Sequence, residues 1–299
     1  MIVMIHVLSL SYGKDSLACL GAIEQLGWPL DRIVHAEVWA TDTIPADLPP
    51  MVEFKAKADR IIKERWGIEV EHVCAMTTYQ DVFYKQRKSG NHKEQIHGFP
   101  MQRGAWCVDR LKTNVLDAVK KLTYDDVFHY VRSERSKNPG KIYGWPTSAM
   151  KGVWCTGELK QRKLVKTQEG CIAYLGIAAD EPNRFHNLTE TKKSPLVEAG
   201  WTETYCRQWC EENDLLSPIY TSATRGGCWF CHNQSVGQLR LLRKNYPEYW
   251  ALMLRWDADS PGTFKADGHK LADYDRRFWL EDKGIISENE RFRWSEILK

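Results

Sequence analysis

The first 76 residues alternate between short apolar runs and amphipathic segments, and this alternation limits the folds open to the chain. Three runs have the length and the apolar character of strands covered on both faces: "MIVMIHVLSL", "DRIVHAEVWA" and "IEVEHVCAM". Between them, Leu17, Leu20 and Ile23 recur at helical spacing, and residues 49–67 carry a second helical stripe. Strands that alternate with helices are typical of a parallel sheet with right-handed crossovers, so we expect an α/β fold.

The second half of the chain adds a strand and a helical end. Residues 171–181, "CIAYLGIAADE", have the pattern of a buried strand that ends in a polar turn, and Thr202 begins a helix. Residues 236–299 are rich in charged and aromatic side chains and have helical character. We therefore expect a domain over 1–235, with an insertion near 123–145, and a helical C-terminal extension over 236–299 that packs on it.

The charge balance does not by itself indicate a nucleic-acid partner. Lysine and arginine number 42 against 39 aspartate and glutamate residues, which gives a formal net charge of +3. One local stretch is basic, with Tyr84 and His92 interleaved, and its charged residues are Lys85, Arg87, Lys88 and Lys93. Such a stretch is compatible with a nucleic-acid contact and equally with a solvated loop.

The termini and the cysteines indicate the compartment. The first ten residues lack the charged start and the cleavage site of a signal peptide, and no stretch has the length of a membrane span. Nine cysteines without an export signal indicate reduced thiols. We therefore expect a cytoplasmic protein without a membrane partner, whose cysteines serve as metal ligands, catalytic thiols or core residues.

The first strand ends in an unusual polar turn, "SYGKDS" (11–16). In parallel sheets, ligands lie at the carboxyl ends of the strands, where helix N-termini offer amide groups to anions. Gly13 permits close backbone approach, Ser11 and Ser16 carry hydroxyl donors, and Lys14 adds a positive charge. The spacing is not that of a Walker A loop. The turn therefore predicts a phosphate site, and the alternative is a helix capped by Ser or Asp.

The turn closely resembles the SGGxDS pyrophosphate loop of the PP-loop ATP pyrophosphatase superfamily, with Tyr12 in place of the first glycine. Further segments resemble the phosphoadenosine phosphosulfate reductase-like branch in the order of that family, over about residues 5–235: "WATDTIPADLP", "WCTGELK", "LGIAADEPNR" and the run from "SPLVEAGWTE" to "GGCWFC". The better match is to iron–sulfur-containing relatives, such as DNA phosphorothioation sulfurtransferases and phage-borne members.

Two departures from this family pattern stand out. Ala178 and Ala179 occupy the place of the arginine that usually follows Gly-Ile, so the phosphate or sulfate contact of that arginine is in question. The C-terminal Glu-Cys-Gly segment of the true reductases has no counterpart, because no cysteine follows residue 236. Reduction by that catalytic cysteine is therefore not expected.

The resemblance implies a doubly wound, adenine nucleotide α-hydrolase-like sheet that binds ATP with Mg²⁺. It implies cleavage of ATP to AMP and pyrophosphate, adenylation of an acceptor and displacement of AMP by sulfur. The acceptor is left open between a nucleic acid and a small molecule, and a sulfur donor protein is a candidate partner. The residues that it places at the nucleotide are Ser11, Tyr12, Gly13, Lys14, Asp15, Ser16, Asp42, Thr43, Gly176 and Arg184. The catalytic candidates are Lys14, Asp15 and Lys160.

Several of these roles have alternatives. Asp15 contacts a phosphate-bound Mg²⁺ or caps the helix. Lys160 and Arg184 meet an anionic ligand or are solvated surface charges. For the whole chain, the alternatives are reduction of adenylyl sulfate or its 3′-phosphate, and a catalytically silent module that binds a nucleotide or nucleic acid.

Four cysteines are candidates for a metal centre. Cys228 and Cys231 form a CxxC motif preceded by two glycines. Cys107 and Cys155 lie in matched Trp-Cys segments of a near-repeat, "IHGFPMQRGAWCVDRLK" and "IYGWPTSAMKGVWCTGELK". Four thiolates suit a [4Fe–4S] cluster or, alternatively, a Zn²⁺ ion.

The fourth ligand is the least determined of the set, and Cys206, Cys210 and His232 compete with Cys107 for it. Cys206 and Cys210 also continue an apolar helical stripe, which favours the core. We expect the core for Cys19, Cys74 and Cys171 as well.

Overall fold

The computed structural model of the chain describes residues 4–88, 93–100, 106–121, 171–221, 227–288 and 293–297. Its strands are β1 (Ile5–Ser9), β2 (Arg32–Glu37), β3 (Val70–Cys74), β4 (Cys171–Tyr174) and β5 (Lys192–Lys193). Its α-helices are α1 (Lys14–Leu26), α2 (Pro49–Trp66), α3 (Tyr79–Phe83), α4 (Trp106–Val108), α5 (Asn114–Lys121), α6 (Pro195–Ala199), α7 (Glu203–Glu212), α8 (Val236–Asn245), α9 (Pro247–Asp259), α10 (Leu271–Asp282) and α11 (Trp294–Ile297). The insertion predicted near 123–145 lies outside the described residues.

The five strands form one sheet in the order β3-β2-β1-β4-β5, and every pair of neighbours is parallel. The expected parallel α/β architecture is therefore confirmed. The chain moves from β1 to β2 and β3 on one side, and β4 then pairs on the other side of β1. The order thus reverses between β1 and β4, which is the place where ligands bind in open α/β sheets.

Two compact units make up the chain, and their segments interleave. The first unit comprises Met1–Glu37, Pro49–Met76 and Arg110–Thr221, and it contains the whole sheet. The second comprises Val38–Leu48, Thr77–Asp109 and Ser222–Lys299. This division differs from the sequence-based boundary at residue 235, because two short segments after β2 and β3 belong with the C-terminal helices.

The core of the first unit follows the apolar pattern of the sequence. Leu8 of β1, Leu17 of α1 and Ile33 of β2 are fully buried in it, together with Ala58 of α2. Helix α7 packs closely on α1, since a Cβ atom on Gly21 would lie 2.4 Å from the Trp209 ring. Helix α1 ends at Gly27, whose left-handed φ of 62° favours glycine.

The second unit is stabilised by aromatic packing and buried ion pairs. Trp256 lies at 5.7 Å from Trp229 in a stacked arrangement, measured between ring centroids. Arg240 of α8 donates to the carboxylate of Glu281 of α10 at 2.6 Å, and Arg277 donates to the same group at 2.7 Å. The predicted helical character of residues 236–299 is confirmed for the described part, and its loop follows Asp259.

None of the helices in the described ranges combines the length and apolar character that crossing a membrane requires.

Candidate functional site

Residues 11–16, called the phosphate loop after the site predicted for them, connect β1 to α1 in the first unit. Gly13 precedes the first turn of α1 in an extended conformation, and no side chain caps this helix. The alternative of a Ser or Asp cap is therefore wrong. Instead, the amide of Lys14 donates to the hydroxyl oxygen of Tyr220 at 3.0 Å. The Tyr220 phenol therefore occupies this amide, and an anion that binds at the helix end must displace it.

The two serines of the loop bond to each other. The Ser11 amide donates to Ser16 Oγ at 3.1 Å, and the two hydroxyl oxygens are 3.0 Å apart. Ser16 Oγ also donates to the Gly13 carbonyl at 3.0 Å. Since each hydroxyl has one proton, Ser11 must donate to Ser16. Ser16 is buried and closes the loop, whereas Ser11 is exposed.

Lys14 is held between two carboxylates. Its ammonium donates to Asp15 Oδ1 at 2.7 Å and to Glu203 Oε2 at 2.9 Å. Burial opposes the charge on Lys14, but these bonds outweigh it and raise the pKa of the ammonium. Burial raises the pKa of Asp15 more than Lys14 lowers it. Sequence reasoning missed Glu203, whose one signal is an acidic side chain in the first turn of α7.

The segment after β4 lies against the loop. A Cβ atom on Gly176 would stand 2.8 Å from the Ser16 amide nitrogen, so only glycine fits there without a shift. Arg184 is paired with Glu181 at 2.7 Å, and Glu181 also accepts from the Ala178 amide at 3.1 Å. The predicted anion contact of Arg184 thus requires this pair to open. Ala178, at the place of the missing arginine, is fully buried.

Tyr12 has a positive φ of 55°, which is uncommon for a residue with a side chain. Its phenol is fully buried and donates to the Asp59 carboxylate of α2. The hydroxyl oxygen also lies 3.2 Å from His72 Nε2 in β3. Side-chain hydrogen bonds therefore hold a left-handed conformation at the position where the resembled motif has glycine.

A charged network extends from Tyr12 behind the loop. His72 lies 2.9 Å from Asp59 through Nε2 and 3.0 Å from Glu37 through Nδ1. These bonds, first that to Asp59, raise the pKa of His72 to about 9. The bond from His72 is also the main cause that lowers the pKa of Glu37 to about 2. Both imidazole nitrogens therefore act as donors, and His72 is an imidazolium at neutral pH.

The same network fixes the end of β1. His35 Nδ1 lies 2.8 Å from the Leu10 carbonyl, so this nitrogen must be the donor. In the neutral imidazole, Nε2 then accepts from the buried Lys55 ammonium at 2.8 Å. Lys55 lies 3.7 Å from Glu37, which connects it to His72. The chain is thus held at two points on its way into the loop, at the Leu10 carbonyl and at the Tyr12 hydroxyl.

The remaining predicted nucleotide residues lie elsewhere. Asp42 and Thr43 belong to the second unit, where they are exposed at the tip of a turn closed by the Thr41 hydroxyl. Their contact with a nucleotide stays a prediction. Lys160 and Cys155 lie outside the described residues.

The second unit brings the other three predicted thiols around one aromatic ring. Tyr79 lies 5.0 Å from Trp106, the neighbour of Cys107, and 4.2 Å from Phe230, which stands between Cys228 and Cys231. Burial raises the pKa of the Tyr79 phenol, and negative charge on each of the three thiols raises it further. The three sulfur atoms therefore share one aromatic environment.

The CxxC motif forms a tight turn. The Cys231 amide donates to the Cys228 carbonyl at 3.0 Å, and the Gln234 side chain donates to the same carbonyl at 3.0 Å. Within the unit, the Trp229 amide donates to the Ala46 carbonyl at 3.0 Å. The Lys265 ammonium donates to backbone carbonyls that follow Cys231, and burial lowers its pKa.

Metal binding itself is not shown by this arrangement. Among the side chains that are described, no three from His, Cys, Asp and Glu form a group that could hold a metal ion. The donor chemistry suits a thiophilic centre, and Cys155 completes the predicted set from outside the described residues. The centre therefore stays a prediction.

The other cysteines separate into buried and exposed positions. Cys19, Cys206 and Cys210 are fully buried, as expected, and the Cys210 thiol donates to the Lys14 carbonyl at 3.2 Å. Burial raises the pKa of Cys206 to about 12. The core prediction is wrong for Cys74, which is exposed because β3 is an edge strand. Cys171 opens β4 and is half-buried.

The basic stretch belongs to a hairpin-like ladder. The Arg87 amide donates to the Gln95 carbonyl at 2.9 Å, and its guanidinium donates to the His97 carbonyl at 3.0 Å. Lys85 and Lys88 are exposed on this ladder. A role in nucleic-acid binding stays a prediction.

Comparisons of the chain with protein families, with curated proteins and with solved structures find no match.

Gly176 provides a test of the phosphate loop. We expect Gly176→Ala to push the Ser16 backbone and to weaken binding of inorganic pyrophosphate by about tenfold, since overpacking typically costs about 1–3 kcal/mol. Isothermal titration calorimetry measures the affinity. The control is Gly237→Ala on α8, where the nearest atom to the new Cβ is 3.8 Å away and binding should not change. Equal affinity in both variants would contradict the assigned contact.

The charged network predicts a pH dependence of stability. His72 has a folded pKa of about 9 against an ordinary 6.5, so its contribution is complete below pH 6.5 and is lost as the pH rises through 9. Glu37 has a folded pKa of about 2 against 4.5, so its contribution is lost as the pH falls from 4.5 towards 2. The free energy of unfolding from urea titrations should therefore fall between pH 6.5 and 9.

His72→Gln should be less stable at pH 6 and should lose most of this alkaline fall. The control His186→Gln replaces an exposed histidine of the same unit and should keep it. The network is wrongly assigned if His72→Gln retains the slope of the unchanged protein.

Proposed function

We propose that the chain is a PP-loop-type enzyme that binds ATP with Mg²⁺ and cleaves it to AMP and pyrophosphate. The observation that carries the proposal is the position of the loop. Residues 11–16 connect β1 to an uncapped helix, at the point where the strand order reverses. Gly176, in the segment after β4, lies against the same place. This is where open α/β sheets bind nucleotides, and the motif resembles a pyrophosphate loop.

The loop would act mainly by holding the leaving group. An acceptor oxygen attacks the α-phosphorus of ATP, the bond from that phosphorus to the bridging oxygen breaks, and pyrophosphate leaves. The amide end of α1 and the Lys14 ammonium stabilise the charge that develops on the pyrophosphate. Mg²⁺ carried by the phosphates neutralises further charge there.

Asp15 and Glu203 keep the Lys14 ammonium beside the end of α1 before a ligand arrives. Phosphate oxygens then compete with two carboxylates for the same cation. Since burial raises the pKa of Asp15, this carboxyl gives up its charge more readily than an exposed one. Alternatively, Asp15 contributes to the Mg²⁺ carried by the phosphates.

Sulfur transfer would complete the reaction. A sulfur nucleophile bonds to the activated atom of the acceptor, and AMP departs with the acceptor oxygen, so sulfur replaces oxygen. Cys107, Cys228 and Cys231 would hold, with Cys155, a [4Fe–4S] or zinc centre. Such a centre supplies a site at which sulfide is bound and positioned. The acceptor, whether nucleic acid or small molecule, and a sulfur donor protein belong to this proposal.

A catalytically silent nucleotide module is the second candidate. It is favoured by two contacts within the first unit: Lys14 is paired with two carboxylates, and Arg184 is paired with Glu181. The resemblance assigns both of these cations to phosphate, but each is already paired with a carboxylate of this unit. Reduction of adenylyl sulfate is less well supported, because residues 236–299 contain no cysteine.

The Lys14→Gln variant tests nucleotide binding, and the products formed from ATP by the unchanged protein distinguish the enzyme from the silent module. We expect the variant to weaken binding of the α,β-methylene analogue of ATP by about tenfold to a hundredfold, the value of a hydrogen bond to a charged group. Calorimetry gives the affinity, and chromatography identifies AMP and pyrophosphate formed from ATP, Mg²⁺ and sulfide. The control Lys63→Gln removes an exposed lysine of α2. ADP as product, or equal binding by both variants, argues against the proposal; analogue binding without turnover favours the silent module.

The thiol centre has its own test. Protein purified without oxygen should contain zinc or about four irons per chain, the latter with broad absorption at the blue end of the visible spectrum. Cys228→Ser should lose this metal, because it removes a ligand from the CxxC turn. Cys74→Ser removes an exposed thiol from the end of β3 and should retain it. Elemental analysis that finds neither metal in the unchanged protein rules out the centre.

A further inference from the structure

A cavity in the second unit contains neither a residue of the phosphate loop nor a predicted metal ligand. Its volume is about 620 Å³, it opens to solvent, and all the residues that line it belong to that unit. Its apolar lining includes Ile44 and Leu252, and its polar lining includes Gln80, Arg255 and Asp259. Ligand pockets of about 300–1,000 Å³ combine apolar walls with a few polar groups in this way.

Tyr84 presents a fixed aromatic ring at this cavity. It is the C-terminal cap of α3, and 39% of the residue is exposed. Its hydroxyl donates to Asp259 Oδ2 at 2.6 Å, and its ring meets the Phe83 ring edge to face at 5.0 Å between centroids. A ring held in this way loses little further freedom when a second ring stacks on it. Tyr84 is therefore suited to a planar ligand.

Arg255 supplies an open cation at the same cavity. It is exposed on α9, one turn before Asp259, and in the described part of the chain no carboxylate pairs with its guanidinium. The Asp259 carboxylate accepts from Tyr84 instead. A guanidinium fork binds two oxygens of a phosphate at once, so the cavity offers a place for a phosphate group.

Gln80 and Asp259 offer a donor and an acceptor to the edge of a planar ligand. Trp256 Nε1 donates to Gln80 Oε1 at 3.2 Å, which orients the carboxamide and leaves its NH₂ group as a donor. Among the described residues, that NH₂ group has no acceptor. Asp259 uses Oδ2 for Tyr84 and keeps Oδ1 as an acceptor. Donors and acceptors of this kind bind the edges of unpaired nucleobases.

Basic side chains follow Tyr84 along the chain. Lys85 comes directly after it, and both Lys85 and Lys88 are exposed. The main chain is fixed here, because the Lys85 carbonyl accepts from the His97 amide at 3.0 Å. Single strands of nucleic acid bind where aromatic rings stack on bases and neighbouring cations contact the phosphates. Charge complementarity therefore favours a strand over a neutral or cationic ligand.

We propose that this cavity receives one base of a single-stranded nucleic acid, stacked on Tyr84, while Arg255 and Lys85 contact the adjoining phosphates. Strand binding does not require the ATP chemistry of the phosphate loop. The further assignment of the strand as the acceptor rests on the proposed function. A duplex keeps its bases paired and stacked, so it offers phosphates to this surface but no free base. The cavity should therefore prefer a strand to its duplex.

Fluorescence anisotropy without ATP tests this preference, with labelled mixed-sequence strands of DNA and of RNA, each of about 12 nucleotides. The better-bound strand should bind the unchanged protein about tenfold more tightly than its duplex, because one base stacks in the cavity. Tyr84→Leu should weaken strand binding by about tenfold and leave duplex binding unchanged. Tyr84→Phe keeps the ring and should retain most of the affinity.

Arg255→Gln tests the phosphate contact on an exposed side chain, where loss of the fold is not expected. It should weaken strand binding about fivefold at low salt and reduce the slope of log affinity against log salt by about one. The controls are Lys244→Gln and Trp279→Leu, which remove an exposed cation and an exposed aromatic ring of the same unit outside the cavity. Both should bind the strand like the unchanged protein, and thermal unfolding verifies that every variant is folded.

The remaining outcomes overturn the inference. Equal binding of strand and duplex means that the charges act without a base in the cavity, and equal losses for Tyr84→Leu and Trp279→Leu mean the same. A free mononucleotide that binds as tightly as the strand overturns the assignment to a strand. Absence of strand binding in a protein that cleaves ATP to AMP and pyrophosphate overturns this inference alone. Strand binding without ATP cleavage overturns only the proposed function.

Discussion

The phosphate loop depends on the hydrogen bond from the Tyr12 hydroxyl to Asp59. A left-handed conformation costs a residue with a side chain about 1–2 kcal/mol, which glycine avoids. A hydrogen bond to a charged group contributes about 1.5–3 kcal/mol, so a buried phenol on a carboxylate offsets that cost. Tyrosine therefore stands where the resembled motif has glycine, and it also connects the loop to α2.

This anchor stabilises the loop only because its own charges are satisfied. A carboxylate shielded from water would be costly without a partner, and the half-buried Asp59 has His72 at 2.9 Å. His72 shares its second nitrogen with Glu37, and Glu37 lies near Lys55. The contacts end at the Leu10 carbonyl and at the half-buried carboxylates of Asp59 and Glu37. Contacts within the first unit thus hold the loop in place, which would reduce the entropy lost on the anion binding proposed above.

Much of this arrangement was predictable, and the limits have physical causes. Apolar periodicity located β1, α1, β2, α2 and β3 because each element buries one face against its neighbours. Tyr12 was visible as a departure from the motif, but its partners lie 47 and 60 residues away, beyond any local pattern. Cys74 has the apolar neighbours of a core residue, yet β3 lies at the sheet edge. Strand order, which decides this exposure, is not encoded in periodicity.

The two candidate centres differ in how completely their polar groups are paired. Around Tyr12, buried donors and acceptors meet within the fold, and the network holds its geometry without a ligand. In the part of the chain that the structure describes, the Tyr79 hydroxyl and the Nε1 of the Trp106 ring packed on it lack acceptors. An apolar wall alone would favour phenylalanine at 79, because it fills the same space without the cost of an unpaired hydroxyl. Among the described residues, the Tyr79 hydroxyl thus remains a buried donor without a partner, whereas the hydroxyl of Tyr12 is paired.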